Sequence, residues 1–111
     1  MEEGEVILTV LSSDQSGKNR PALILRKSPR YHDYLVCGIS SQLHQEVKDF
    51  DMLIGRNHPD FVSSGLKYNA LVRLFFLAII RHDEIKGSIG KVSDSTLKLL
   101  QKRLSDYLIK K

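Results

Sequence analysis

Apolar side chains occur along this sequence in short, separated runs. Residues 5–11, 22–26, 34–39 and 70–80 are rich in Val, Ile, Leu, Phe and Tyr, and the segments between them carry Gly, Pro, Asn, Asp and Ser. Runs of that length, bounded by turn-forming residues, are the pattern of β-strands joined by loops. In the first run Val6, Leu8 and Val10 fall on one face of an extended chain, and Ile7, Thr9 and Leu11 on the other. Both faces of that strand therefore need at least partial cover. This predicts a curled sheet or a small barrel.

A helix is expected at the C-terminus. Leu97, Leu100, Leu104, Tyr107 and Leu108 recur at helical spacing, and Ser93 or Asp94 can accept a hydrogen bond from a free N–H of the first turn. The pattern predicts a helix over about 94–109 that docks this stripe on the sheet. Lys98, Lys102, Arg103, Lys110 and Lys111 are biased to the other face and the helix end, where they read as a solvated surface. Residues 43–68 have no clean period and read as loops with one or two short strands.

At 111 residues the chain is long enough for one core and too short for two, so one domain over 1–111 is expected. Its longest apolar run, residues 74–80, falls far below the roughly 20 residues of a membrane span and is bracketed by Arg73 and Arg81. Core, not membrane, is its expected place. Cys37 is the only cysteine, which excludes an intrachain disulfide and suits a reduced cytoplasmic setting. It reads as a small buried hydrophobe. The acidic start Met1-Glu2-Glu3-Gly4-Glu5 lacks the features of a signal peptide. Lys and Arg total 17 against 13 Asp and Glu, a balance of +4 that is permissive for anionic partners.

One stretch carries more information than composition. Gly17-Lys18-Asn19-Arg20-Pro21-Ala22-Leu23-Ile24-Leu25 delivers an arginine, fixed before a proline, to the entrance of an apolar strand, and Ile39-Ser40-Ser41-Gln42 follows at short distance. With Gly4-Glu5-Val6-Ile7, Gly65-Leu66, Val72-Arg73 and Ile89-Gly90-Lys91-Val92-Ser93, the order and spacing resemble the MazF/PemK-type toxins of bacterial toxin–antitoxin pairs. The resemblance implies a mainly β fold with a C-terminal α-helix, a small SH3-like β-barrel of the MazF/Kid/CcdB type over about 4–92. It also implies a metal-independent, cofactor-free endoribonuclease that leaves 2′,3′-cyclic phosphate and 5′-hydroxyl ends. The implied partners are single-stranded RNA, a second copy of the chain in a homodimer, and a cognate antitoxin whose flexible acidic tail occupies the RNA surface.

Cleavage by a 2′-hydroxyl requires one proton to be accepted, another donated, and extra charge on the phosphoryl oxygens stabilised. Arg20 suits the last task, because a guanidinium stays charged and its fork matches two phosphate oxygens. The plain alternative is a surface arginine at a strand end. Ser40 matches the position at which the resembling family hydrogen-bonds the scissile phosphate, and a serine pair satisfying local turn amides is its alternative. Arg20 and Ser40 are thus the candidate catalytic residues. Lys18, Asn19, Ser41, Gln42 and Arg73 are the candidate RNA contacts.

Some members of the resembling family place an acidic residue two positions after the arginine that Arg73 matches. Here Phe75 stands in its place. His32, His44 and His58 are candidates for a replacement base, with exposed loop histidines as the alternative. No recognised metal spacing occurs. Tyr31, Tyr34, Phe50, Phe61 and Tyr68 could stack on unpaired bases, although most are expected in the core. Phe75 also gives weight to a rival function, a catalytically inactive barrel that acts as an RNA- or protein-binding module.

Overall fold

The computed structural model describes residues 1–11 and 16–110. Its six strands are β1 (Glu5–Thr9), β2 (Arg20–Lys27), β3 (Asp33–Ser40), β4 (Met52–Ile54), β5 (Ala70–Arg81) and β6 (Ile85–Lys91). A one-turn helix α1 (Phe61–Ser64) precedes β5, and α2 (Asp94–Leu108) follows β6. The strands form one antiparallel sheet in the order β4-β5-β3-β2-β1-β6. This is the mainly β fold with a C-terminal helix that the sequence predicted, and the sheet is curled but not closed.

Bulges supply the curl, since an unpaired extra residue bends its strand and increases the local twist. Leu25 is extra in β2, between the Ile24↔Val36 and Arg26↔Leu35 pairs. Its carbonyl accepts a 2.7 Å hydrogen bond from the Gln101 amide of α2. Ile89 and Lys86 are extra in β6. The largest irregularity lies in β5, where four residues, 73–76, face the single residue Gly38 between the Cys37↔Leu77 and Ile39↔Val72 pairs.

Helix α1 presses directly on β6. A Cβ on Gly90 would come within 2.3 Å of the Ser63 carbonyl, and one on Gly65 within 1.9 Å of the Ile89 carbonyl. Gly65 also ends α1 in the left-handed conformation, with φ of 75°. Glycine at both positions lets the two backbones meet where strand pairing stops.

Alternation in β1 sends Val6 and Ile7 into different cores, as two covered faces require. One core holds Leu23, Cys37, Val72 and Leu74 beneath Leu97, Leu100 and Leu104 of α2. The other packs Ile7, Ala22, Ile24, Tyr34, Val36 and Ile80. Cys37 is buried, and burial pushes its thiol up to about 12, so it packs as a neutral hydrophobe. The helical stripe docks only in part, because Tyr107 and Leu108 of the last turn are exposed. Arg103 also departs from the expected solvated face. Its guanidinium donates to the Phe50 and Asp51 carbonyls at 3.2 and 2.9 Å, satisfying backbone acceptors that no strand pairs.

Asp60 ties α1 to the start of α2. Its carboxylate accepts from the Ser93 N–H at 3.1 Å and the Ser93 hydroxyl at 3.0 Å, while Ser93 Oγ caps α2 through the Thr96 N–H. Burial alone would raise the Asp60 pKa, but hydrogen bonds from Thr96 and Ser93 outweigh it and hold the group below its ordinary 3.8. A depressed folded-state pKa stabilises the protein above the unfolded value, and that contribution is lost as pH falls through the folded one. Asp60→Asn is therefore expected to cost roughly 1–2 kcal/mol at pH 7. In urea unfolding followed from pH 7 to pH 2, the difference from the parent protein should shrink below about pH 4.

Candidate functional site

Strand register brings the two leading candidates together. Ala22 pairs with Gly38, so the same antiparallel register continued by two residues sets Arg20 opposite Ser40. Both lie on the sheet face that carries Ala22 and Gly38. Arg20 opens β2 beside Pro21 and is exposed, and Ser40 closes β3 opposite Leu71. Ser40 Oγ accepts a 2.9 Å hydrogen bond from the Gln42 N–H, the expected local turn contact. Its own O–H still has a hydrogen to donate.

Arg20, Ser40, Ser41 and Gln42 line one groove of about 680 Å³. Its lining also includes Leu66, Lys67, Tyr68 and Asn69 from the segment between α1 and β5, with Ile39, Ala70 and Phe76. Arg20 and Lys67 are its cationic lining residues, and the described lining includes no carboxylate or histidine. Acidic side chains do line the concavities at the N-terminus and at the β2–β3 turn, including Glu2, Glu3, Asp33 and Asp83. The groove thus pairs positive charge with apolar surface. An anionic ligand with flat apolar groups matches that combination.

The other candidates lie elsewhere. Lys18 and Asn19 are exposed in the loop leading to Arg20 and do not line the groove. Arg73 is half-buried outside the lining, with its guanidinium carbon 5.4 Å from the centroid of the Phe76 ring. His32 lies at the β2–β3 turn, His44 in a short 3-10 turn after β3, and His58 accepts the Asp60 N–H through Nδ1 at 3.0 Å. None of the three lines the groove.

Phe75 is also outside it. Its ring stands edge-on to Tyr107 with centroids 5.4 Å apart, and Tyr107 in turn meets Phe50 at 5.1 Å. The aromatic in the groove is Phe76, which the sequence reading did not single out. A signal for it was present in Gly38, since a glycine inside an apolar strand marks a close approach. A Cβ at Gly38 would lie 2.3 Å from the Phe76 ring. Of the aromatics considered for base stacking, Tyr34 is buried, Phe50 and Phe61 pack against the core, and Tyr31 and Tyr68 are exposed. Tyr68 alone of these lines the groove.

Comparison with known proteins identifies the family. The model of the PemK-like, MazF-like toxins of type II toxin–antitoxin systems matches residues 2–108. The chain belongs to that family. No curated protein matches the sequence. Among solved structures, this MazF-like chain superimposes on an endoribonuclease in complex with its cognate antitoxin from mycobacterial species, with TM-score 0.70, 15% identity and coverage of 97% of this chain and 94% of that one. The Mycobacterium tuberculosis toxin MazF-mt6 gives TM-score 0.69 at 17% identity, covering 94% and 95%. The MazE–MazF complex from Deinococcus radiodurans gives 0.70 at 13%, covering 98% and 95%. Among the described residues, no helix is long and apolar enough to cross a membrane, and no three His, Cys, Asp or Glu side chains are grouped to hold a metal ion.

The toxin's groove depends on the bulge in β5. Asp51 is buried, and its carboxylate accepts the Leu74 N–H at 3.0 Å and the Val47 N–H at 2.9 Å. Leu74 lies between Arg73 and Phe76, at the point where β5 leaves its partner strand. Asp51→Ala would leave the buried Leu74 amide without its partner. A loss of roughly 2–4 kcal/mol in urea unfolding is expected.

Proposed function

We propose that this chain is the endoribonuclease toxin of a type II pair, acting as one domain over residues 1–111 in the cytoplasm. It cleaves single-stranded RNA in a sequence-specific manner without a metal or other cofactor. The observation that carries this reading is that Arg20 and Ser40 line one groove whose described lining has no carboxylate. Among the described lining residues a phosphodiester meets the cations Arg20 and Lys67.

In the proposed reaction the 2′-oxygen gives up its proton and bonds to phosphorus, and the 5′-oxygen leaves and takes up a proton. The products are a 2′,3′-cyclic phosphate and a 5′-hydroxyl. Arg20 balances the charge that grows on the phosphoryl oxygens, and the Ser40 hydroxyl donates to one of them. Lys18, Asn19, Ser41, Gln42 and Arg73 contact the flanking RNA. A cognate antitoxin with a flexible acidic tail is drawn to the same cations. Support for an antitoxin comes from family membership and from two similar structures described as toxin–antitoxin complexes.

A homodimer is supported by an apolar face away from the groove. Ile79, Leu108 and Ile109 are exposed beside Leu35, and Phe75 and Tyr107 continue the surface. Large exposed apolar patches of this kind mark interfaces. In sedimentation experiments Leu108→Asp is expected to convert a dimer into a monomer. A parent protein that already sediments as a monomer would remove the homodimer from the proposal.

Purified toxin incubated with a long unstructured RNA and excess chelator should cut it to fragments bearing 5′-hydroxyl ends. Arg20→Ala should slow cleavage at least about a hundredfold while keeping the parent melting temperature, because the arginine is exposed but serves the transition state. Ser40→Ala should slow it more than Ser41→Ala. Binding without cleavage by the parent protein would favour the rival RNA-binding module, and a fully active Arg20→Ala would remove Arg20 from the mechanism.

A further inference from the structure

The groove contains a feature that phosphate binding does not explain. Gly38 stands in the middle of β3, where glycine weakens a strand because it adds backbone entropy and packs no side chain. Its missing side chain leaves the space that the Phe76 ring occupies, since any Cβ there would lie 2.3 and 2.8 Å from two ring carbons. Phe76 reaches this position because residues 73–76 bulge out of register against Gly38, and the buried Asp51 carboxylate holds the bulge at Leu74. The ring is not consumed by the core. It remains 36% exposed and lines the same groove as Arg20, Ser40 and Tyr68, while the Arg73 guanidinium carbon stays 5.4 Å from its centroid.

We infer that Phe76 is a base-contact residue: its ring, seated on Gly38 and flanked by Arg73, takes an unpaired base of the RNA adjoining the phosphate held at Arg20 and Ser40. This inference rests on the groove's being the RNA site. Three observations carry it. Arg20, Ser40 and Phe76 line the same groove, so a nucleotide with its phosphate at Arg20 and Ser40 has its base within reach of the groove that holds Phe76. The groove's lining also includes the apolar Leu66 and Ile89, as the flat face of a base requires. The ring has little freedom to swing away, with the β3 backbone against it and the bulge anchored by Asp51. An aromatic surface accepts the face of any base, so Phe76 adds affinity for unpaired nucleotides over duplex. The choice among bases then falls to the polar lining residues Gln42 and Asn69.

The test separates base contact from phosphate contact. Two single-stranded heptamers of equal charge, both 2′-fluoro so that no 2′-hydroxyl can attack, are titrated against the toxin by fluorescence anisotropy. One is a random-sequence pool, and the other is the same backbone with every base removed. The parent protein is expected to bind the heptamer with bases more tightly. Phe76→Ala is expected to weaken that binding about tenfold and to leave the abasic affinity within about twofold. Phe76→Tyr keeps the ring and should restore the preference, and Phe76→Leu serves as the ring-less variant if the alanine protein does not fold.

Equal losses on both heptamers, or no loss on either, would overturn the role of Phe76. A parent protein that binds both heptamers equally would also overturn it and would leave the groove as a phosphate site. Failure of the parent protein to bind either would overturn the RNA reading of the groove, and this inference with it.

Discussion

The arrangement of the groove depends on one buried carboxylate. In a continuous strand the Leu74 amide would bond to a neighbouring strand, and β5 would run straight past Gly38. Asp51 instead takes that hydrogen bond, and its second oxygen fixes Val47 in the segment leading to β4. A buried N–H strongly resists being left unpaired, so a side-chain acceptor at this point makes three extra residues in β5 stable. Arg103 completes the anchor from α2 by holding the Asp51 carbonyl. One local exchange of partners thus places Phe76 on the groove face and Phe75 against Tyr107.

Glycine has the complementary role. Gly38, Gly65 and Gly90 each stand where a Cβ would collide with another part of the chain, and each contact helps shape the groove or its border. Gly65 and Gly90 let α1 sit on β6, which positions the segment of Leu66, Lys67, Tyr68 and Asn69 in the groove with Arg20 and Ser40. The sheet need not close by hydrogen bonds, because backbone contact through α1 supplies the closure that strand pairing does not. The missing methyl groups weaken strand preference locally in exchange for close approach.

These features give the proposed RNA groove fixed parts. Arg20 and Ser40 stand on strand ends, and Phe76 on a pinned bulge. Preorganised charge of this kind stabilises a transition state without reorganising during the reaction. The exposed apolar residues Ile79, Leu108 and Ile109 are not among the groove's lining residues, so the proposed dimer and the proposed RNA site draw on different surfaces.

Local signals in the sequence were enough for four of the strands, for α2 with Ser93 or Asp94 as its cap, and for the family through its ordered motifs, and the structure chose Ser93. Arg20 and Ser40 are candidates through the family resemblance, since by themselves a surface arginine and a turn serine are the plain readings. The strand β6 was not legible, since Ile85-Lys86-Gly87-Ser88-Ile89-Gly90-Lys91 has two bulges that destroy its alternation. Of β4, three residues long, only a short strand somewhere in residues 43–68 was legible. The exposed ends of the helical stripe and the anchoring role of Arg103 were hidden because spacing reports a face, not what lies opposite it. The identity of the groove aromatic needed the tertiary structure for the same reason. Whether Phe75 or Phe76 faces the groove turns on a shift of register, set by a hydrogen bond from a residue more than twenty positions away. Periodicity within β5 does not encode that bond. Sequence alone determined four of the strands, the terminal helix and the chemical groups available, and long-range backbone partnering decided which of those groups meet.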